Sequence, residues 1–424
     1  MKLPWKRPTT WALIGAIAVT FVLAGAGAFT ARAADPIKIG FGMALTGGLS
    51  ANGKPALLAI QIWKDAINKK GGLLGRQVEL VFYDDQTNPA TVPGIYTKLL
   101  DVDKVDLVVS GYGTNLIAPL MPIAMERKLT VMAIFGLANN EKYKYPNYFQ
   151  ISPTGPDTAA AFAGPFFELA AKQTPRPQTA AIVGADAEYP QTALVGAREV
   201  IKRIGFKTVY DKTYPPSTVD YTPIVRAIKA TNPDVVFVAS YPPDSVGMLR
   251  AAHEVGLQPK LFGGGMVGLQ FTTVMQSMGP MMNGIVNYDF WVPEPTMMFP
   301  GIQDFFKEYQ PRAAKEGVDT LGYYLPPYTY AAMQILGQAI ETTKSLDQQK
   351  IADYVRNTEF NTIVGKIKFG KDGEWAKART LMVQYQKVQG NNIEQFRGPG
   401  KKPILYPDEL KSGNIIYPYS AALK

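Results

Sequence analysis

The sequence contains no cysteine and a single histidine, His253, among its 424 residues. The lack of cysteine excludes disulfide bonds, thiolate metal sites, cysteine nucleophiles and the lipidated cysteine of a lipoprotein anchor. His253 falls in a predicted helix without a serine or metal-ligand partner at a suggestive spacing, so we expect a surface or packing role for it. The chain therefore lacks most of the side chains that hydrolytic and redox enzymes use as nucleophiles, acids and bases. We therefore predict that the protein is not an enzyme and needs no metal and no cofactor.

Clustered charge of one sign is also missing. The chain has 44 Lys and Arg against 35 Asp and Glu, a formal net charge of +9, without a basic run or stripe. Nucleic acid is therefore not an expected partner. Lys2, Lys6, Arg7 and Arg32 lie in the amino-terminal segment described next, which has no acidic residue, so the rest of the chain is nearer +5.

One apolar run of near-spanning length is present, at the amino terminus. A basic start precedes the uncharged segment Trp11–Phe29, and Ala31-Arg32-Ala33 follows it. This pattern predicts a secretory signal peptide, residues 1–33, cleaved after Ala33 to release the protein into the periplasm. An uncleaved membrane anchor is the alternative, because the run is close to the length that a bilayer requires.

The rest of the chain alternates predicted strands with predicted helices, the rhythm of a parallel sheet covered on both faces. The first series of strands comprises Ile37–Met43, Gln77–Tyr83, Leu107–Ser110 and Thr130–Phe135. The intervening helices are predicted at Pro55–Lys69, from Asn88 to about Asp101, and after Ser110 to about Lys128. A second series of strands comprises Thr179–Gly184, Phe206–Tyr214 and Val235–Ala239, with helices at Gln191–Ile204, Tyr221–Thr231 and Ser245–Val255. Two such series predict an α/β protein with two lobes.

Turn-rich segments mark where the chain passes between the lobes. They lie at Ser152–Pro156 and Trp291–Pro295, and a third crossing is predicted near Lys366–Gly373. Helices near 301–316 and 328–343 are too few for a third sheet domain, so we expect them to return to the first lobe. The tail from about Gly390 is expected to wrap the surface. The predicted division is a signal peptide at 1–33, an N-terminal lobe of 34–152 plus 291–367, and a C-terminal lobe and tail of 153–290 plus 368–424.

Five short motifs follow one another along this framework. They are a strand, Ile37-Lys38-Ile39-Gly40-Phe41; a loop, Leu45-Thr46-Gly47-Gly48-Leu49 with Asn52-Gly53; a turn, Asn68-Lys69-Lys70-Gly71-Gly72-Leu73-Leu74-Gly75-Arg76; a helix entry, Tyr83-Asp84-Asp85-Gln86-Thr87-Asn88-Pro89; and a later helix, Leu249-Arg250-Ala251-Ala252 through Gly256-Leu257. Their succession, with a match from about 37 to 386, resembles the leucine/isoleucine/valine-type periplasmic binding proteins of ABC importers.

The resemblance implies a fold and a function. The fold is the type I periplasmic binding protein fold, with two Rossmann-like lobes, three crossover segments and a small-molecule ligand held in the cleft between them. The implied function is that of a substrate-binding protein, a monomer that closes on its ligand and delivers it to the permease and ATPase subunits of an importer. A ligand sensor of the same fold is the alternative, although no signalling domain is evident on this chain.

Ligand contacts are expected at the carboxyl ends of the strands, where sheets of this kind bind ligands. The candidates are Asn52, Tyr112, Gly113, Thr114, Phe135, Gly136, Leu137, Tyr189, Tyr241, Gly265 and Met266. The loop at 112–114 precedes a predicted helix, whose free N–H groups suit a carboxylate, and the resemblance implies the same role for Thr114. It also implies that Tyr189 and Tyr241 close on the ligand, whereas simple core packing is the alternative for each tyrosine.

Three positions depart from the amino-acid-binding members of that family. Gly265 stands where those members place the glutamate that pairs with the ligand's ammonium group, Leu137 where they carry a threonine, and Asn52 where an aromatic residue is common. A buried ammonium without an anionic partner costs several kcal/mol. The sequence therefore predicts an aromatic or aliphatic carboxylate without an α-ammonium group. Alternatively, Asp186 or Glu188 supplies the missing charge and the ligand is a hydrophobic amino acid.

Other motifs have simpler interpretations. Gly40-Phe41-Gly42 lacks the third glycine of a dinucleotide fingerprint. Gly263-Gly264-Gly265 lacks the Lys-Ser/Thr of a P-loop, so we predict a tight turn at the end of a strand. Asp84-Asp85 before Asn-Pro is interpreted as turn and helix-cap residues rather than as metal ligands.

Overall fold

The computed structural model of the protein describes Met1 and residues 35–423, so the predicted signal peptide lies outside the described residues. Two separate sheets, of five and seven strands, organise the described chain, and a two-stranded ribbon accompanies them. Within the described part of the chain, no helix is both long enough and apolar enough to cross a membrane.

The first sheet is entirely parallel and has the order β2-β1-β3-β4-β5. Its strands are β1 (Ile37–Met43), β2 (Val78–Asp84), β3 (Leu107–Tyr112), β4 (Val131–Ile134) and β5 (Tyr148–Gln150). All six residues of β3 are buried, as expected of a central strand covered by helices on both faces.

Helices from distant parts of the sequence cover this sheet. They are α1 (Ser50–Lys69), α2 (Val92–Asp101), α3 (Thr114–Ile117), α4 (Met121–Glu126), α10 (Ile302–Glu316), α11 (Pro326–Thr343) and α12 (Gln348–Asn357). Helix α1 packs against α10 and α11, and α11 also contacts β4. The later helices thus lie against the first sheet, where they were expected.

The second sheet has the order β14-β13-β10-β9-β8-β6-β7, and all its strands run in one direction except β13, which pairs antiparallel with both β10 and β14. Its strands are β6 (Thr179–Ala185), β7 (Lys207–Tyr214), β8 (Val235–Ser240), β9 (Leu261–Met266), β10 (Val286–Asp289), β13 (Leu381–Gln384) and β14 (Ile404–Tyr406). Its helices are α5 (Ala163–Ala171), α6 (Glu188–Ile204), α7 (Thr222–Ala230), α8 (Pro242–Val255) and α9 (Thr272–Met278).

The chain passes between the two sheets three times. It leaves β5 for β6, leaves β10 for the helices of the first sheet, and returns to β13 after the ribbon of β11 (Glu359–Thr362) and β12 (Gly365–Lys368). These passages fall at the three segments expected to join the lobes. The lobe boundaries themselves stay a prediction.

The glycine run at 263–265 does not form the predicted turn but lies inside β9. A Cβ atom on Gly264 would stand 2.2 Å from the Phe237 ring, and one on Gly263 would stand 1.9 Å from the Val286 carbonyl oxygen. The glycines are therefore required by close packing between neighbouring strands, where a side chain has no room.

Two other local predictions are also wrong. The single helix expected to end near Lys128 is broken into α3, a 3₁₀ turn and α4, because Pro119 and Pro122 lack the amide hydrogens that a continuous helix would use. The tail does more than wrap the surface, because β14 pairs antiparallel with β13 and extends the second sheet.

Candidate functional site

A small cavity of about 30 Å³ lies between the carboxyl ends of the two sheets. It is lined by Tyr112, Gly113, Thr114, Phe135, Gly136, Leu137, Ser152, Thr154, Phe162, Tyr189, Tyr241, Val267, Tyr288, Phe290 and Tyr324. Pockets that hold small ligands usually measure roughly 300–1,000 Å³. The two lobes are therefore closed on each other, and a ligand the size of an aromatic acid can enter this cavity only when they move apart. We call this space the interlobe cavity.

The strand order of the two sheets explains why the cavity lies at the carboxyl ends of β1, β3, β6 and β8. In the first sheet β1 lies between β2 and β3, and in the second β6 lies between β7 and β8. At such a reversal of strand order, the loops leave in opposite directions and open a crevice beyond the strands. The segment that follows β3 and the residue that follows β8, Tyr241, line the cavity from opposite sheets.

Thr114 presents a hydroxyl group to the interlobe cavity. Its Oγ1 accepts a hydrogen bond from the Leu137 amide at 3.0 Å, which leaves its own hydrogen free to donate. The helix that it begins, α3, has only four residues, so the expected contribution of a helix dipole is small. The positive φ of Gly113, 97°, turns the chain sharply out of β3 into this loop.

Two tyrosines of the second lobe reach the same space. Tyr189 donates its hydroxyl hydrogen to the Gly265 carbonyl oxygen at 2.8 Å. Tyr241 donates to Asn115 Oδ1 at 3.0 Å, a hydrogen bond from the second lobe to the first. Their ring centroids are 5.6 Å apart, so the two rings form one wall of the interlobe cavity.

Eight of the eleven residues predicted from the sequence line the interlobe cavity, and three do not. Asn52 is fully buried in α1, behind the lining residue Tyr112. Gly265 contributes the carbonyl oxygen that Tyr189 uses. Met266 is fully buried, and its amide donates to Asn287 Oδ1 at 3.0 Å.

Seven further residues line the interlobe cavity and were not predicted from the sequence: Ser152, Thr154, Phe162, Val267, Tyr288, Phe290 and Tyr324. Tyr288 and Phe290 belong to β10 and the residue after it, a strand that was not predicted. Ser152 and Thr154 lie in the turn-rich segment that is predicted to join the lobes. Their hydroxyl side chains at a lobe crossing are the sequence feature that could have identified them as cavity residues.

Among residues 35–423, every side chain that lines the interlobe cavity is uncharged. A Cβ atom at Gly265 would stand 3.1 Å from the Tyr189 hydroxyl, so that hydroxyl occupies the space into which a longer side chain would project. Asp186 and Glu188 are exposed and do not line the cavity. Asp186 instead accepts a hydrogen bond from Gln191 at 2.6 Å.

The buried carboxyl group of Glu374 lies behind Thr154, a residue that lines the interlobe cavity. The Thr154 hydroxyl approaches Glu374 Oε2 at 3.5 Å, and Glu374 lies in the third crossing with 4% of its surface exposed. Burial, together with the neighbouring Asp372 and Glu141, raises the pKa of Glu374 well above its ordinary value. An uncharged Glu374 can donate a hydrogen to its surroundings.

Other candidate residues have structural roles. His253 is exposed on α8, as predicted. Asp84 accepts hydrogen bonds from the amides of Leu45, Thr46 and Gln86, so the turn role is confirmed, but the helix-cap role is wrong because α2 begins only at Val92. Within the described residues, no group of three His, Cys, Asp or Glu side chains is placed to hold a metal ion.

A family model described as "Periplasmic binding protein" matches residues 36–391. The chain belongs to this family. The family is one of solute-binding proteins, and its members act after export to the periplasm.

Individual relatives agree with this membership. The chain is similar to the Leu/Ile/Val-binding protein homolog 7 of Brucella melitensis, with 22% identity over 413 residues that cover 95% of this chain and 98% of that protein. A Rhodopseudomonas palustris solute-binding protein in complex with benzoate matches with a TM-score of 0.72 and 16% identity, over 87% of this periplasmic binding protein and 95% of that chain. The substrate-binding protein LivJ of Streptococcus pneumoniae, in complex with isoleucine, matches with a TM-score of 0.70 and 17% identity, over 84% and 97%. At these identities the structures establish the fold, and the predicted two-lobed type I fold is confirmed.

Proposed function

We propose that this periplasmic binding protein is the substrate-binding component of an ABC importer and that it captures a small aromatic carboxylate. One observation carries the choice of ligand class: the interlobe cavity is lined by uncharged, mostly aromatic side chains. A ligand ammonium group would be buried there without an anionic partner, at a cost of several kcal/mol. An aromatic ring would instead contact rings on both sides.

The carboxylate is assigned to the loop at 113–115. The free hydroxyl hydrogen of Thr114 points to a role as donor, and backbone amides at the start of a helical turn have no partner within that turn. Neutral donors stabilise a carboxylate when several converge on it. The ring would then lie among Phe135, Phe162 and Tyr189.

Binding is proposed to act by lobe closure. Contacts from both lobes favour the closed form over the open form, because a ligand shifts such an equilibrium only through its different affinities for the two states. Membrane subunits of the importer would then recognise the closed form. We also propose that the signal peptide is cleaved after Ala33 and that the exported protein is a monomer with no catalytic activity of its own.

Thermal unfolding with added ligands tests this proposal. Benzoate and cinnamate should raise the melting temperature of the mature chain, whereas leucine and phenylalanine should not. A ligand at 100 times its Kd stabilises the folded state by about 2.7 kcal/mol. Stabilisation by leucine alone would sink the aromatic-acid assignment and favour an amino-acid ligand.

A matched pair of variants tests the carboxylate end. Thr114→Val removes the hydroxyl group and should weaken benzoate binding, whereas Thr114→Ser retains a hydroxyl and should bind nearly as wild type does. Titration calorimetry measures both. Equal affinities for the two variants would show that the Thr114 hydroxyl does not contact the carboxylate.

A further inference from the structure

Five tyrosines bring their hydroxyl groups to the interlobe cavity. Together Tyr112, Tyr189, Tyr241, Tyr288 and Tyr324 form what we call the tyrosine cluster. They come from both lobes and from three separate parts of the sequence. Such a concentration of phenol groups exceeds what a purely apolar ligand would need, because each buried hydroxyl requires a hydrogen-bond partner.

Tyr112 stands at the centre of the tyrosine cluster. Burial raises the pKa of Tyr189, Tyr241, Tyr288 and Tyr324, and for each of them the nearby Tyr112 adds to the rise. All five side chains line the interlobe cavity, and the hydroxyls of Tyr288 and Tyr324 are in direct contact at 2.7 Å.

The hydrogen bonds of the cluster leave donors unused. The hydroxyls of Tyr189 and Tyr241 donate to Gly265 and Asn115. Tyr288 and Tyr324 lie 2.7 Å apart and share one hydrogen between their oxygens, so the hydroxyl hydrogen of the accepting partner is not used in that bond.

The Tyr112 hydroxyl makes no hydrogen bond of normal geometry to another residue of the described chain, although the side chains of Tyr324 and Asn52 lie beside it. Two hydroxyl hydrogens, that of Tyr112 and one from the Tyr288–Tyr324 pair, thus remain at the cavity.

Asn52 supplies an independent observation behind Tyr112. It is 0% exposed, and both polar atoms of its carboxamide lack a hydrogen-bond partner among residues 35–423. A buried polar group without a partner is costly, and native proteins rarely keep one without a purpose. The Tyr112 side chain lies beside this carboxamide, so its oxygen is the nearest candidate acceptor for Asn52 Nδ2, an arrangement that would leave the phenol hydrogen to the cavity.

We propose that the ligand carries a second polar group, a ring hydroxyl, which the tyrosine cluster recognises at Tyr112, Tyr288 and Tyr324. This inference rests on the proposed function, because it takes one end of the ligand to be the carboxylate at Thr114. It narrows the substrate class from aromatic carboxylates to hydroxylated ones.

A hydroxyl group fits this place better than other substituents. It accepts hydrogens from the unused phenol donors and donates its own in return. A methyl group would leave those donors unpaired, and a second charge would be buried among uncharged side chains. Asn52 acts in this scheme as a positioning residue that orients the Tyr112 hydroxyl.

Calorimetric titration with paired ligands tests the inference. Each isomer of hydroxybenzoate is compared with the methylbenzoate of the same substitution pattern, which has nearly the same shape. At least one hydroxy isomer should bind the wild-type chain about tenfold tighter or more than its methyl counterpart, because a site built for a hydroxyl group rejects analogues that lack it.

Single substitutions identify the residues responsible for the preference for hydroxybenzoate over methylbenzoate. Tyr112→Phe and Tyr324→Phe should reduce that preference to less than about threefold. A cooperative thermal unfolding transition like that of the wild type shows that each variant is folded. Tyr328→Phe is the matched control, since this buried tyrosine donates to the Phe290 carbonyl oxygen and does not line the cavity. It should keep the full preference.

The outcomes separate the two proposals. Binding of benzoate with no hydroxy isomer preferred overturns the ring-hydroxyl inference and leaves the aromatic-carboxylate proposal standing. A preference that survives both Tyr112→Phe and Tyr324→Phe overturns the assignment to the tyrosine cluster. If no benzoate of any kind binds, the proposed function fails and this inference fails with it.

Discussion

The hydroxyl of Tyr241 and the carboxamide oxygen of Asn115, 3.0 Å apart, join the two lobes across the interlobe cavity by a hydrogen bond. Tyr241 precedes α8 of the second lobe, and Asn115 lies in α3 of the first. Because opening must break this bond, it helps to hold the closed form.

The first prediction concerns this bond. Tyr241→Phe should shift the ligand-free protein toward the open form by about 0.5–1.5 kcal/mol, the usual net value of one hydrogen bond. Small-angle scattering should show a larger radius of gyration. Tyr241→Ala, which also removes the ring, should weaken ligand binding without unfolding the chain.

A double-mutant cycle provides the control. Asn115→Ala alone should open the protein as Tyr241→Phe does, and the double variant should open it no further, because both changes break the same bond. Fully additive effects would show that the bond does not hold the lobes together.

The second prediction uses the adjacent carboxylates Asp84 and Asp85, whose pKa values move in opposite directions. Burial raises the pKa of Asp85 from 3.8 to about 6, and the neighbouring Asp84 contributes. The stability associated with this raised value is present below pH 4 and is lost as the pH rises through 6. Asp85→Asn should therefore raise the melting temperature at pH 7, by roughly 1–3 °C, and lose that advantage at pH 4.

Asp84 is the matched control. Burial would raise its pKa, but hydrogen bonds from Thr46, Gln86 and Leu45 outweigh burial and lower it. Its contribution is present above pH 4 and is lost as the pH falls through the lowered value. Asp84→Asn should thus reduce the melting temperature at pH 7. Melting curves between pH 3 and pH 8 that shift in the same direction for both variants would contradict this assignment.

The third prediction concerns the glycines of β9. Gly264→Ala would place a Cβ atom 2.2 Å from the Phe237 ring at a residue with φ of 105°, so it should destabilise the fold by about 3 kcal/mol or more. Chemical denaturation measures the loss. Gly94→Ala in α2 is the control: nothing lies within 4 Å of the added atom, and alanine favours the helix. A Gly264→Ala variant as stable as Gly94→Ala would refute the packing argument.

The fourth prediction concerns a buried ion pair. Lys402 Nζ lies 2.8 Å from Asp289 Oδ2, with side chains 2% and 0% exposed. Lys402→Met should cost about 3–5 kcal/mol, because it leaves a buried carboxylate without its partner. Adding Asp289→Asn, which keeps an acceptor for the Phe290 amide, should recover much of the loss. A double variant no more stable than Lys402→Met would mean that charge pairing is not the cause.

Much of the fold could be predicted because its signals are local. Strand β1 was predicted with its observed bounds, Ile37–Met43, since large apolar side chains recur there at every second position next to a turn. The proline-interrupted helix after β3 and the glycines of β9 were predicted wrongly. The glycines of β9 are required by close packing against distant residues, Phe237 and Val286, which no local pattern reports. The helix break follows instead from Pro119 and Pro122, a signal that the sequence does contain.

The residues of the candidate site also fall into two groups, those that a local pattern predicts and those that only tertiary structure brings to the cavity. Tyr112 ends β3 and Phe135 directly follows β4, two strands that are buried throughout, so their place at the cavity follows from topology. Tyr324 precedes α11 more than 200 residues later, and only the return of that helix to the first sheet brings it beside Tyr112. Residues contributed by such returns could not be found from sequence position alone.

Each half of the molecule is completed by helices or strands from late in the sequence. Helix α11 covers α1, and β14 completes the edge of the sheet that β6 began. A polypeptide that emerges amino end first therefore cannot complete the first half before Asn357 or the second half before Tyr406. Folding of the second half should finish last, and fragments that end before Ile404 should stay sensitive to proteases there.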